Sequence, residues 1–183
     1  MGYLRLVHSA PSVPTPESAC LDAFEREIEY VFATLGRLGA APGEVEDLAQ
    51  EIFMVLYRNW KTLDTDRPLR PYLFGVAFRI VCAHRRRRVR EIPYPALDAN
   101  DGAPGPEVTL QSREAMTLLL TALDSVPMAR RGVVIMHDLD EVPIADIART
   151  LSISRFGVYA RLRKGRKELG AAVRRLSRGG APR

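Results

Sequence analysis

Two stretches of this chain concentrate the groups that could do chemistry, and in both the groups are cationic. Arg155 to Arg183 holds ten basic residues against a single acid, Glu168, and Arg79 to Arg90 holds six arginines and no acid. Guanidinium and ammonium groups at that density neutralise phosphates and release counterions, so the chemistry to expect is attraction to nucleic acid at two separate places. The opposite charge is gathered elsewhere, because Glu17 to Glu51 carries nine acidic residues and two basic ones. The formal charge of +5 on 183 residues is thus the remainder of segregated fields, and the acidic stretch calls for a partner other than DNA.

Groups for covalent or metal chemistry are not assembled in this way. His8, His84 and His137 stand apart, and His137-Asp138 with Asp140 and Glu141 reads as a charged loop between helices rather than a metal cluster. Cys20 and Cys82 are distant, with no Cys-x-x-Cys and no histidine pair, which speaks against a zinc site and a disulfide framework and for a reducing, cytoplasmic setting. No glycine-rich phosphate loop or nucleophile motif occurs. We therefore expect no enzyme, no catalytic residue, no metal and no cofactor. The N-terminus lacks a signal-peptide pattern, and no apolar run approaches the length of a membrane span.

The elements that must carry the charges read as helices. Ile144, Ile147, Ala148 and Leu151 share one stripe, with Pro143 suited to a first helical turn. Ser152-Ile153-Ser154 supplies a bend with Ser154 as N-cap, and Val158, Leu162, Gly165 and Leu169 form the next stripe. This is a helix-turn-helix pattern. The face opposite the second stripe holds Ala160, Arg163, Lys164 and Lys167, flanked by Tyr159, as a helix laid in a major groove requires. Upstream, one helix is expected from about Glu17 to Leu38, ended by Gly39 and Pro42. Another starts near Glu44, with Val45, Leu48, Ala49, Ile52, Phe53, Val55, Leu56 and Trp60 on one face and Asp47, Gln50, Glu51, Met54 and Arg58 on the other. A third runs from about Arg70 into Arg85-Arg86-Arg87-Arg88. Pro93, Pro95, Gly102, Pro104, Gly105 and Pro106 then mark a linker, after which helical spacing resumes at about Glu107. The expected architecture is all-α, two small helical domains: a flexible leader over 1–16, a helical unit over 17–91, a linker over 92–107, a second unit over 108–176 and a flexible tail over 177–183.

In this order the parts resemble the bacterial extracytoplasmic-function sigma factors, from about Phe24 to Leu176. Asp47-Leu48-Ala49-Gln50-Glu51-Ile52-Phe53 is similar to the family's D-L-x-Q-E-x-F, followed by Leu69-Arg70-Pro71-Tyr72-Leu73-Phe74-Gly75-Val76-Ala77 and the arginine run. The second signature is Leu139-Asp140-Glu141-Val142-Pro143-Ile144-Ala145-Asp146-Ile147-Ala148, with Arg161-Leu162-Arg163-Lys164-Gly165-Arg166 after the turn. The resemblance implies an alternative sigma factor that binds core RNA polymerase, reads the minus-thirty-five and minus-ten promoter elements and aids DNA melting. It assigns Asp47, Gln50, Glu51 and Met54 to the polymerase. To the minus-ten element, partly melted, it assigns Tyr72, Phe74, Arg79, His84, Arg85, Arg86, Arg87 and Arg88, since planar groups stack on unpaired bases and arginines hold the backbone. To duplex minus-thirty-five DNA it assigns Arg155, Tyr159, Ala160, Arg163, Lys164 and Lys167. An anti-sigma factor or other regulator is a further implied partner. Tyr72 stands where the family commonly has Trp, and Gly157 and Tyr159 replace a usual Thr and a usual Lys or Arg, so the promoter sequence read would differ. An operator-binding regulator that ignores polymerase is the competing expectation, and the face at Asp47 to Phe53 argues against it.

Overall fold

The computed structural model describes residues 15–91 and 110–179, so the expected linker, nearly all of the leader and the end of the tail lie outside the described residues. Every regular element among the described residues is helical. The hydroxyl of Thr15 accepts the Ser18 N–H at 3.2 Å and starts α1 (Pro16–Arg26), with Pro16 in the first turn. The single helix expected over Glu17 to Leu38 is in fact two. Glu27 leaves helical geometry (φ −109°, ψ 7°), its N–H turns back to Phe24, and α2 (Ile28–Leu38) begins after it. The carboxylate of Glu27 at this break accepts Arg70 Nε at 2.8 Å. Gly39, at φ 82°, ends α2 in the left-handed conformation that costs a glycine nothing.

A short 3-10 turn at Pro42–Glu44 leads into α3 (Val45–Asn59), and α4 (Leu69–Glu91) follows the loop at Asp64 to Pro68. Val31, Leu35 and Leu38 of α2 close a core with Leu48, Ala49, Ile52 and Leu56 of α3 and Leu73, Phe74, Ala77 and Val81 of α4. Their apolar positions recur at helical spacing, which is why three helices can share one dry interior.

The second half comprises α5 (Leu110–Asp124), α6 (Met128–Val134), a π-helical turn at Ile135–Leu139, α7 (Ile144–Thr150) and α8 (Arg155–Gly179). His137 and Asp138 therefore sit in a helical turn, not a loop, and α8 runs three residues into the expected tail, as nothing from Ser177 to Gly179 interrupts its hydrogen bonding. Gly165 lets α8 lie close on α6, where a Cβ would stand 2.7 Å from Val134 Cγ2. Val133 to Met136, Ile147, Val158 and Leu162 form the interior here.

The two halves meet. The Arg131 guanidinium, 1% exposed, donates to the carbonyls of Leu38 at 3.0 Å and Val126 at 3.2 Å and to Asp124 Oδ1 at 2.8 Å. Arg85 reaches the neighbouring carbonyl of Gly39 at 3.0 Å, so two cations occupy the end of α2, where carbonyls lack helical partners. Asp140 accepts Tyr30 Oη at 2.8 Å and Arg37 at 3.0 Å, and α7 lies against α4, Thr150 on Gly75.

Candidate nucleic-acid interface and partner-docking face

Three surfaces carry the residues singled out from the sequence. On α3, Leu48, Ala49, Ile52 and Leu56 are buried, which turns Asp47, Gln50, Glu51, Met54 and Arg58 to the surface. Met54 is 45% exposed and Tyr57 42%, with Tyr57 in ring contact with Phe53 at 6.0 Å. Two carboxylates, an amide and a thioether at i, i+3, i+4 and i+7, with the Tyr57 phenol three residues further on, form a mixed face suited to a protein partner. Glu46 and Asp47 also lie in the first turn, where the helix dipole favours negative charge.

On α4 the expected set divides. Arg79 is exposed and Tyr72 half-buried, and both line a cleft of about 1130 Å³ with Trp60 and Leu63. Its other wall is Asp146, Arg149, Thr150 and Ser152 of the helix-turn-helix, so this cleft runs along the seam between the halves. Phe74 does not belong to the surface: it is wholly buried, its ring 6.4 Å from Phe78, and it cannot stack on a base while this core is intact. Arg85 and Arg88 are only half-exposed, because Arg85 holds Gly39 and approaches Asp124 at 3.6 Å and Arg88 pairs with Glu44 at 3.2 Å. His84 lies 4.0 Å from the same Glu44. Arg86 turns back to the carbonyl of Cys82 at 3.1 Å yet stays exposed, as does Arg87. The arginine run thus divides into residues that tie α4 to its neighbours and residues that face solvent.

The third surface is α8. Ser154 Oγ accepts the Gly157 N–H at 3.0 Å, the N-cap expected of it. Val158, Leu162 and Gly165 are buried, and Arg155, Tyr159, Arg163, Lys164 and Lys167 are exposed, with Ala160 between them half-exposed. Arg166 is drawn aside: its Nε meets Asp138 Oδ2 at 2.9 Å, which holds that carboxyl below the usual carboxylate range and fastens α8 to the π turn. Arg130 and Glu168, 2.7 Å apart, fasten it to α6. What remains exposed on α8 is a stripe of cations and aromatic rings, and its cations Arg155, Arg163, Lys164 and Lys167 form no ion pair among the described residues.

The family profile of sigma-70 region 2 matches residues 23–91 and that of sigma-70 region 4 matches residues 116–169, together more than half the chain. This chain is an extracytoplasmic-function sigma factor. It is 26% identical over 141 residues to the RNA polymerase sigma factor NccH of Alcaligenes xylosoxydans xylosoxydans, spanning 74% of this chain and 76% of that one. It is 29% identical over 144 residues to the sigma factor SigF of Caulobacter vibrioides, spanning 76% of each. Its fold is similar to that of the sigma factor RpoE of Bartonella quintana, solved in complex with the anti-sigma factor NepR, at a TM-score of 0.67 and 18% identity over 82% of this chain and 96% of that one.

In this sigma factor the region 2 match ends with α4 and the region 4 match holds α6, α7 and the first part of α8. Two features of the sites lie outside the sets expected from the sequence. Trp60, expected on the apolar face of its helix, and Leu63, given no role by the sequence pattern, line the cleft beside Tyr72. Phe156, assigned to nothing, is 83% exposed at the start of α8. A helical wheel holds the signal for it, since a residue two places before the buried Val158 falls nearly opposite the apolar stripe.

Proposed function

We propose that this sigma factor divides its work among the three surfaces. The outward face of α3, with Asp47, Gln50, Glu51 and Met54, docks on core RNA polymerase. Tyr72 and Arg79, with the solvent-facing Arg86 and Arg87, handle the minus-ten element once its strands part, the ring stacking on a base and the guanidiniums holding phosphates. Arg155, Tyr159, Ala160, Arg163, Lys164 and Lys167 read duplex minus-thirty-five DNA in the major groove. The observation that carries this division is the α8 stripe, whose cations stay exposed while Arg166, Arg130 and Glu168 are occupied in holding the helix down. Nucleotide addition is the work of the polymerase, and the setting is the cytoplasm.

A protein regulator belongs to the same reading. Two sigma factors of similar fold, RpoE of Bartonella quintana and CnrH, have been solved with the anti-sigma factor NepR and with the cytosolic domain of CnrY, and an inhibitor covering α3 or the seam would act here by occlusion. Run-off transcription with core polymerase on a promoter library tests the whole. Promoter-specific transcripts that require both proteins are expected, and their absence across a range of salt concentrations would refute the assignment. Within it, Arg163→Ala is expected to weaken minus-thirty-five binding while leaving core affinity unchanged; equal loss of both would show that the surfaces are wrongly divided.

A further inference from the structure

We propose that Phe156 is a specificity-determining residue that reads the methyl group of a thymine in the minus-thirty-five element. The inference rests on α8 being the duplex reader and adds a base-selective contact to it. Phe156 is 83% exposed and Tyr159 60%, more than any other large apolar or aromatic side chain among the described residues. Phe156 takes no part in the ring pairs found there, which join Phe24 to Phe53, Phe53 to Tyr57 and Phe74 to Phe78. Its position is not accidental to the basic stripe: 159, 160, 163 and 167 lie three, four, seven and eleven residues after 156, so the ring heads the same face that carries Tyr159, Ala160, Arg163 and Lys167. The Ser154 cap fixes the turn on which it stands.

The N-terminal residues of a recognition helix are the ones that meet base edges. In the major groove the thymine methyl is the apolar group a base edge presents, and phenylalanine is among the side chains that contact it. The neighbouring cations, Arg155 and Arg163, attract phosphates whatever the sequence. An apolar ring among them gains nothing from a phosphate and adds discrimination only where a methyl group is present. That combination favours DNA over a protein surface as the occupant, because the ring is continuous with a charged stripe and not with an apolar patch.

The test starts from the full-length protein and a duplex selected by it from a random library. Each thymine is then replaced singly by deoxyuridine, which removes the methyl and keeps the hydrogen-bonding edge. One position is expected at which uracil weakens wild-type binding about fourfold, the value of one methyl-sized group removed from water. Phe156→Ala is expected to bind the thymine and uracil duplexes equally, and Phe156→Leu to retain part of the difference; with 83% of the side chain in solvent, neither change touches the core. A Phe156→Ala protein that keeps the full thymine preference, or a selected duplex with no thymine-sensitive position, overturns the proposal. So does a Phe156→Ala protein with unchanged DNA affinity and reduced core polymerase affinity, which would mark a protein contact. Arg163→Ala and Lys164→Ala run alongside: loss of binding in these with no methyl effect refutes only the role of Phe156, whereas undiminished binding in both refutes α8 as the reader.

Discussion

Arg131 takes a full charge into the interior, and it is tolerated because its Nε meets one carbonyl and its Nη1 a second carbonyl and a carboxylate. Burial pulls its pKa below the usual arginine value, while Asp124 opposes the shift. The carbonyls of Leu38 and Val126 are the other half of that arrangement, since without the guanidinium they would be buried at helix ends with no donor. Arg131→Ala is therefore expected to lower unfolding free energy by about 3 kcal/mol, read from urea denaturation. Arg131→Lys should also destabilise, because one ammonium cannot span two carbonyls and a carboxylate. Two residues in α4 separate stability from function at the same scale. Phe74→Ala opens the core and should cost about 3 to 5 kcal/mol, whereas Tyr72→Ala, half-exposed on the cleft, should leave the urea midpoint nearly unchanged and reduce promoter opening scored by permanganate reactivity of the melted strand. Equal stability loss in both would put Tyr72 in the core and end its role at the minus-ten element.

At the scale of elements, α8 depends on how it is started and fastened. Removing the Ser154 hydroxyl leaves the Gly157 N–H without its partner, so Ser154→Ala should cost about 1 kcal/mol and weaken minus-thirty-five binding uniformly across sequences, with Ser154→Asp restoring both. The fastening to the π turn is pH-dependent. Arg166 and His137 hold Asp138 below its ordinary carboxylate value, so the folded state binds its proton less readily than the unfolded chain. That contribution is complete above the unfolded pKa of about 3.9 and disappears as pH falls through the lower folded value. Asp138→Asn should flatten this part of the urea midpoint against pH. Asp140 acts in the opposite sense, since burial raises its pKa despite Tyr30 and Arg37 and its folded form prefers the proton. What could be seen of these elements beforehand follows from their surroundings. The faces of α3 and α8 were readable because each is covered on one side only, which imposes a 3.6-residue period on residue type. The break at Glu27 left no trace, because Phe24, Val31, Leu35 and Leu38 keep their spacing straight through it. In α4 the period fails, because α2 and α3 cover one side and α7 another, so buried Phe74 and half-exposed Tyr72 look alike in sequence. Phe156 is hard to place for the reverse reason, as an apolar type is expected to seek the interior.

In the molecule as a whole, the two helices proposed to read DNA, α4 and α8, belong to halves that are held together, and on that proposal promoter geometry does not allow the arrangement to persist. The minus-ten and minus-thirty-five elements are centred about 25 base pairs apart, or about 85 Å at 3.4 Å per step. A body of this size has a radius of gyration of about 15 Å. With Arg131, Arg85 and Asp140 closing the seam, α4 and α8 belong to one such body and cannot both reach their elements. On the proposed division of surfaces the halves are expected to part before initiation, with α7 leaving α4. Gly75 and Thr150 mark where to test this, since a Cβ at Gly75 would stand 2.8 Å from Thr150 Cγ2, so α4 and α7 pass close together at this point of the seam. In a protein with Cys20→Ala and Cys82→Ala, the pair Gly75→Cys and Thr150→Cys should close under oxidation. The tethered sigma factor should then fail to direct transcription from a promoter with both elements and recover on reduction. Because the exposed stripe of α8 lies off the seam, the tethered form should still bind an isolated minus-thirty-five duplex. Initiation at full rate with the tether intact would mean that both elements are reached without separation.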